Sequence, residues 1–121
     1  MSGGSVNGDL TGGGSNNGGE TLNNYVEITG GTVSGNVYSG FTDSADALEN
    51  TLTVAGGRVE GSLFGGYSNT GTANENKLTF SAGTAGSDAY GGYAQEGADK
   101  NEAVLSGTSV LEGNAAGGSS A

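Results

Sequence analysis

A chain of 121 residues with net charge −10, 27 glycines and neither cysteine nor histidine has room for one domain and few groups for metal or nucleophilic chemistry. Disulfides and thiolate or imidazole metal sites are excluded, and 13 carboxylates against 3 cations repel nucleic acid and anionic lipid. Leu, Ile, Val and Phe number only 20, a content that signals an acidic disordered segment unless a fixed repeat lets many short strands share one core.

A repeat is present, with a period of 26 residues. The first copy, GGSVNGDLTGGGSNNGGETLNNYVEIT (3–29), carries one extra residue, assigned to its GGGSNNGGE loop. NYVEIT alternates, with Val26 and Ile28 on one face, and reads as a half-buried strand. The second copy, GGTVSGNVYSGFTDSADALENTLTVA (30–55), begins with Gly30 and Gly31; this pair, like Gly56 and Gly57, reads as a bend of positive φ that separates two strands. VSGNVY then reads as a second strand, with Val33, Gly35 and Val37 inward and Ser34, Asn36 and Tyr38 outward. FTDSADALEN is polar and reads as a loop or a short third strand, and NTLTVA closes the copy. The third copy (56–81), the fourth (82–107) and a partial fifth (108–121) follow without gaps.

Superposed at this shift, the apolar positions form four columns. Val26, Leu52, Leu78 and Val104 make the first; Ile28, Val54 and Phe80, ending in Ser106, the second. Val33, Val59, Ala85 and Leu111 make the third, and Val37, Leu63, Ala89 and Ala115 the fourth. A unit this small cannot bury its own face, but stacked units can, each rising about 4.8 Å on the last. The expected fold is therefore all-β: one parallel β-solenoid domain over 1–121, with about four to five coils of one repeat each. Asn24, Asn50 and Asn76 fall in one column. They form either an amide ladder or a set of turn asparagines without mutual bonds.

The units GGTVSGNVYSGFTDSADALENTLTVA and GGRVEGSLFGGYSNTGTANENKLTFS resemble the tandem repeats of bacterial autotransporter-type surface proteins, of the form GG-(T)-V-x-G-x-V-Y-G-G-Y-(loop)-N-x-V-T-I-S. The resemblance covers nearly the whole chain and is strongest over 24–93; Thr11 and Ala116 replace the aromatic at the ends, and Ser87 replaces a glycine. It implies a right-handed parallel β-helix on the cell surface, serving as a stalk or adhesin. MSGGSVNG has no basic n-region and no apolar h-region, so the expectation is a processed or excised segment of a larger secreted or surface protein, or a chain that is not exported. No run is apolar enough to span a bilayer, and no membrane insertion is expected of this chain.

The candidate chemistry is sparse. GGGSNNGGE and the GGY elements lack the helix, Lys and Ser/Thr of a phosphate loop and read as turns. Glu49 and Glu75 share a column flanked by Asn23 and Asn101, with Asp43 and Asp46 nearby, and are the one weak Ca²⁺ candidate; the competing reading is a solvated acidic surface. Arg58 and Glu60 read as a surface pair rather than as lyase groups, and no cofactor or enzymatic site is expected. Threonine columns lapse between copies, which argues against an ice-binding face. Two aromatic columns remain: Tyr38, Phe64 and Tyr90, pointing outward, and Phe41, Tyr67 and Tyr93 after the glycine pair. Stacking between coils is the favoured reading, and a stripe for a glycan or a host surface protein the alternative, with the outward column the better candidate for binding. Neither end carries an evident cap, so the last coil is expected to fray or be covered, and chains are expected to stack end to end as a homo-oligomer or filament.

Overall fold

The computed structural model describes residues 1–120, which fold into strands and turns with no helix among them. The first coil holds β1 (Ser5–Val6), β2 (Leu10–Ser15), β3 (Thr21–Leu22) and β4 (Tyr25–Ile28). The second holds β5 (Thr32–Val33), β6 (Val37–Thr42) and β7 (Ala47–Leu48), and β8 (Thr51–Val59) leads into the third. There β9 (Leu63–Ser68) and β10 (Thr72–Asn74) follow, and β11 (Lys77–Ala85) leads on to β12 (Ala89–Ala94) and β13 (Gly97–Asp99). The chain closes with β14 (Glu102–Leu111) and β15 (Ala115–Ser120).

Every strand pairs in parallel with its counterpart one coil away, which makes the molecule a parallel β-solenoid with three faces. The first face runs β1-β5-β8-β11-β14, with β4 also on β8; the second runs β15-β12-β9-β6-β2; the third runs β13-β10-β7-β3. The polar third segment is thus a true short strand. The first-copy insertion is confirmed: Ser15 pairs with Thr42 but Thr21 with Ala47, so the extra residue lies between Ser15 and Thr21.

The core is built from the expected columns. Val33, Val37, Leu52, Leu63, Leu78 and Phe80 are fully buried, and Ile28, Val54 and Val59 nearly so. Each such side chain contributes roughly 1.5–3 kcal/mol, enough across a stack to offset the meagre apolar composition. Ala47, Ala73 and Ala94 form a second small cluster beneath the third face, which the apolar columns of the sequence did not include.

Four expectations need correction. VSGNVY is not one strand. Val33 and Val37 do point inward, but Ser34, Gly35 and Asn36 form a corner between the first and second faces. A Cβ on Gly35 would come within 2.7 Å of the Gly8 carbonyl oxygen, so that corner leaves no room for a side chain.

The glycine pairs do not end strands in the inner coils. Gly57 (φ 82°) and Gly83 (φ 101°) bend β8 and β11 in the left-handed region while pairing continues across a register shift.

The ungapped alignment of the fourth copy also fails locally. Tyr93 pairs with Tyr67, but Asn74 pairs with Asp99, so one residue is lost after Ala94. Phe80 then pairs with Leu105 and Ala82 with Thr108, so a bulge at Ser106–Gly107 restores it. Ala103 and Leu105, not Val104 and Ser106, continue the columns of Leu78 and Phe80. Small or displaced residues leave the final coil thin, with Leu105 38% and Val110 51% exposed.

The last correction follows from the same slip. The column of Glu49 and Glu75 continues to Lys100 rather than Asn101.

Candidate functional site

Two inner features organise the coils and present the aromatic face. The asparagine column is a hydrogen-bonded ladder. Nδ2 of Asn24 donates to Oδ1 of Asn50 (2.9 Å), Asn50 to Asn76 (3.0 Å) and Asn76 to Asn101 (3.0 Å), so the ladder reaches one coil beyond the expected three. The backbone N–H of each of the first three donates to the same oxygen. Asn50 and Asn76 are buried, so these bonds form away from competing water. The residue just before each rung, Asn23, Glu49, Glu75 or Lys100, adopts φ of 54–58°. That left-handed corner turns the chain into the ladder and points these four side chains to solvent.

Room for the ladder comes from the opposite wall. A Cβ on Gly40 would lie 2.4 Å from Asn50 Cγ, and one on Gly66 2.3 Å from Asn76 Cγ. Gly13 and Gly92 stand in the same relation to Asn24 and Asn101. The second glycine of each GGY element is therefore a matter of space. In β6 the residue before it, Ser39, is also buried and donates to the carbonyls of Asn24 (2.9 Å) and Thr51 (2.6 Å). Two consecutive inward residues break the alternation, so Tyr38 and Phe41, three apart, both emerge on the outer face.

There the six aromatic residues meet in two adjoining stacks. Tyr38 lies on Phe64 (4.9 Å between ring centroids, 6° between planes) and Phe64 on Tyr90 (5.5 Å, 19°). Phe41 lies on Tyr67 (5.3 Å, 5°) and Tyr67 on Tyr93 (5.3 Å, 10°). The stacks touch edge to face, Tyr38 against Phe41 at 5.2 Å and 73°. Packing half-buries the outward column, and Phe64 at its centre is 8% exposed. Burial raises the Tyr38 phenol above its ordinary value; the hydrogen bond from Asn36 Nδ2 (3.2 Å) opposes this, and the Asp9 charge adds to it. Burial also raises Tyr67, with Tyr93 adding. It raises Tyr90 too, helped by the hydrogen bond to Asp88 Oδ2 (3.2 Å) and that carboxylate's charge.

Both stacks stop at the first coil, where Thr11 pairs with Tyr38 and Gly14 with Phe41. The missing rings leave an open hollow of about 430 Å³ lined by Asp9, Thr11, Gly14, Asn16, Tyr38 and Phe41. Asp9 and Asn16 are site residues that sequence reasoning missed. Asp9 was legible in one respect. Asp9, Asn36, Ser62 and Asp88 form a column of short oxygen-bearing side chains before the inward residue of each coil. Each accepts the backbone N–H one coil on: Asn36 to Asp9 (2.7 Å), Ser62 to Asn36 (2.8 Å), Asp88 to Ser62 (3.2 Å) and Asn114 to Asp88 (2.8 Å).

The two ladders run in opposite senses and end on unmet groups. Among the described residues, Asn24 Oδ1 has no donor and the Asp9 N–H no acceptor at one end. At the other end the Asn101 N–H has no acceptor and the Asn114 side chain no partner. Met1 to Gly4 begin a further turn beneath Glu27–Thr32 and leave Asn24 and Asp9 open.

The acidic candidates are dispersed. Glu49 and Glu75 are exposed, and the described residues hold no group of three or more acidic side chains placed for a metal ion. Asp43 accepts from Asn69 Nδ2 (2.9 Å), and Asp46 from both the N–H (3.0 Å) and the hydroxyl (2.8 Å) of Thr72. Arg58 pairs with Glu60 at 3.8 Å, both half-exposed, as a surface pair.

Compared with known proteins, the chain matches no family model, no curated protein and no solved structure.

Proposed function

We propose that this chain is a non-enzymatic structural segment of an extracellular or cell-surface protein, an axial spacer whose copies join end to end into fibres. The unmet end of the Asp9 column carries this reading. A second copy placed head to tail would offer the Asn114 side chain to the Asp9 N–H, repeating the bond made between coils, while the asparagine ladder, with four rungs to that column's five, stays unjoined. The repeat's resemblance to surface-protein passengers supports the compartment. Net charge −10 opposes association, so assembly should need salt near or above about 0.1 M, where the Debye length falls to about 10 Å. Sedimentation at rising concentration and salt should reveal growing oligomers, with unbranched fibres in electron micrographs. A monomer under all these conditions refutes assembly.

The aromatic face supports a second reading, a module that binds a glycan or a host protein; with Phe64 buried at the centre of the outward column, the unbroken stripe for it is Phe41, Tyr67 and Tyr93, all partly exposed. Glycan binding without fibres would favour it over the first.

A further inference from the structure

The hollow on the first coil combines two ring side chains with a carboxylate that accepts from no side chain among the described residues, whereas at the other end of the stacks Asp88 Oδ2 is taken by the Tyr90 hydroxyl. The rings of Tyr38 and Phe41 are each covered on one side by the ring of the next coil, and their other sides line the hollow. The two rings touch edge to face, with centroids 5.2 Å apart and planes at 73°, and both line the hollow. Asp9 stands beside them with Oδ1 bonded to the Asn36 N–H and Oδ2 without a donor among the described residues. No cation of the chain lines the hollow, and Arg58 and Lys77 are paired to Glu60 and Glu102 on the first face. Both the local charge and the net charge of −10 therefore favour a positive guest.

We infer that this hollow binds a methylated ammonium group, with the cation seated against the rings of Tyr38 and Phe41 and its charge balanced by Asp9. Electron-rich ring faces attract such a cation, and a quaternary ammonium gives up little hydration on entering an aromatic-lined hollow. The volume lies within the roughly 300–1,000 Å³ of small-molecule sites. A neutral sugar could donate a hydroxyl to Asp9 but would leave its charge unbalanced, and an anion would be repelled. A head-to-tail copy does not fill the space either, because the last coil carries Ala116 and Ser119 in the two ring columns. The site is therefore independent of fibre formation.

Two substitutions test this without disturbing the fold. Asp9→Asn keeps the acceptor for the Asn36 N–H, as Asn36 itself does for Ser62 on the next coil, and removes the charge. Thr11→Tyr continues the ring column and plugs the hollow. Tetramethylammonium and choline, titrated by NMR, should shift the Tyr38 and Phe41 ring resonances with a dissociation constant of order 1 mM, as suits an open site. Asp9→Asn should weaken binding about tenfold, Thr11→Tyr should abolish it, and 3,3-dimethyl-1-butanol, the uncharged analogue of choline, should bind at least tenfold more weakly. Equal binding of choline and its uncharged analogue overturns the inference. So does binding unaffected by Thr11→Tyr, or binding of methyl glucoside in place of the cations, which would return the hollow to the glycan reading. Phosphatidylcholine vesicles present the same head group beneath a phosphate. Binding to vesicles as well as to free choline supports the site with a lipid source, and binding of choline alone supports it with a soluble one.

Discussion

Gly66 shows how tightly a single position is specified. Its φ is not in the left-handed region, so alanine suits its backbone, yet the added Cβ would sit 2.3 Å from Cγ of the buried Asn76. Asn76 receives Nδ2 of Asn50 and donates to the Ala47 carbonyl (2.9 Å), so displacing it strands buried polar groups on two coils. Gly66→Ala should destabilise the fold by about 3 kcal/mol or more, adding overpacking to broken buried bonds. Gly97 has open space where its Cβ would be, and Gly97→Ala should stay within about 0.5 kcal/mol of the parent. Denaturant melts of the two variants compare them directly. Equal stabilities would show that the ladder tolerates crowding and that the glycine has some other cause.

At the scale of elements, β6, β9 and β12 are each a strand with an inner and an outer task. The inner task holds the ladder's far wall; the outer one stacks rings. Phe64, in the middle of its column, touches rings above, below and beside it. Phe64→Ala should cost about 3–5 kcal/mol, combining lost burial with lost ring pairs. A loss below about 1 kcal/mol, read by chemical denaturation, would mean that the rings contribute little to holding the coils together. These strands also mark what the sequence made legible. Alternation and the fixed period sufficed for the parallel solenoid, the inward Val33 and Val37, and the two ring columns. The corner at Ser34–Asn36 escaped because a strand that turns through Gly35 keeps its apolar spacing on both sides. The slip after Ala94 escaped because the bulge at Ser106–Gly107 hides it from any count taken over the whole repeat. The hollow escaped for a different reason. The lapse of the ring at Thr11 was visible, but the inserted residue after Ser15 obscures Gly14 as its counterpart in the second column, and nothing in the repeat marks Asn16 as facing the gap.

The molecule as a whole has a pH limit set by its aromatic face. Tyr38, Tyr67 and Tyr90 are all raised, first by burial. Their folded-state values lie above the value of about 10 expected of unfolded tyrosine. The fold thus holds these protons more tightly than the unfolded chain does. Their contribution is fully present below about pH 10 and is lost as pH rises through the raised folded values. The melting temperature should fall above about pH 10, and phenolate absorbance should show tyrosines in the folded protein titrating later than in the urea-unfolded chain. Coincident titrations would mean that solvent reaches the stacked phenols freely.

The slip after Ala94 and its repair at the bulge bear on how such a chain can vary. A missing residue in a strand normally rotates every later side chain to the opposite face, so that a local deletion becomes a global fault. Here the fault lasts for part of one turn and is then cancelled, and Leu111 returns to its place over Ala85. Phase is reset once per coil by the loops and glycine bends, not inherited along the whole chain. A solenoid of this kind can absorb small changes in length one turn at a time, and can lengthen by whole turns without renegotiating the turns it already has.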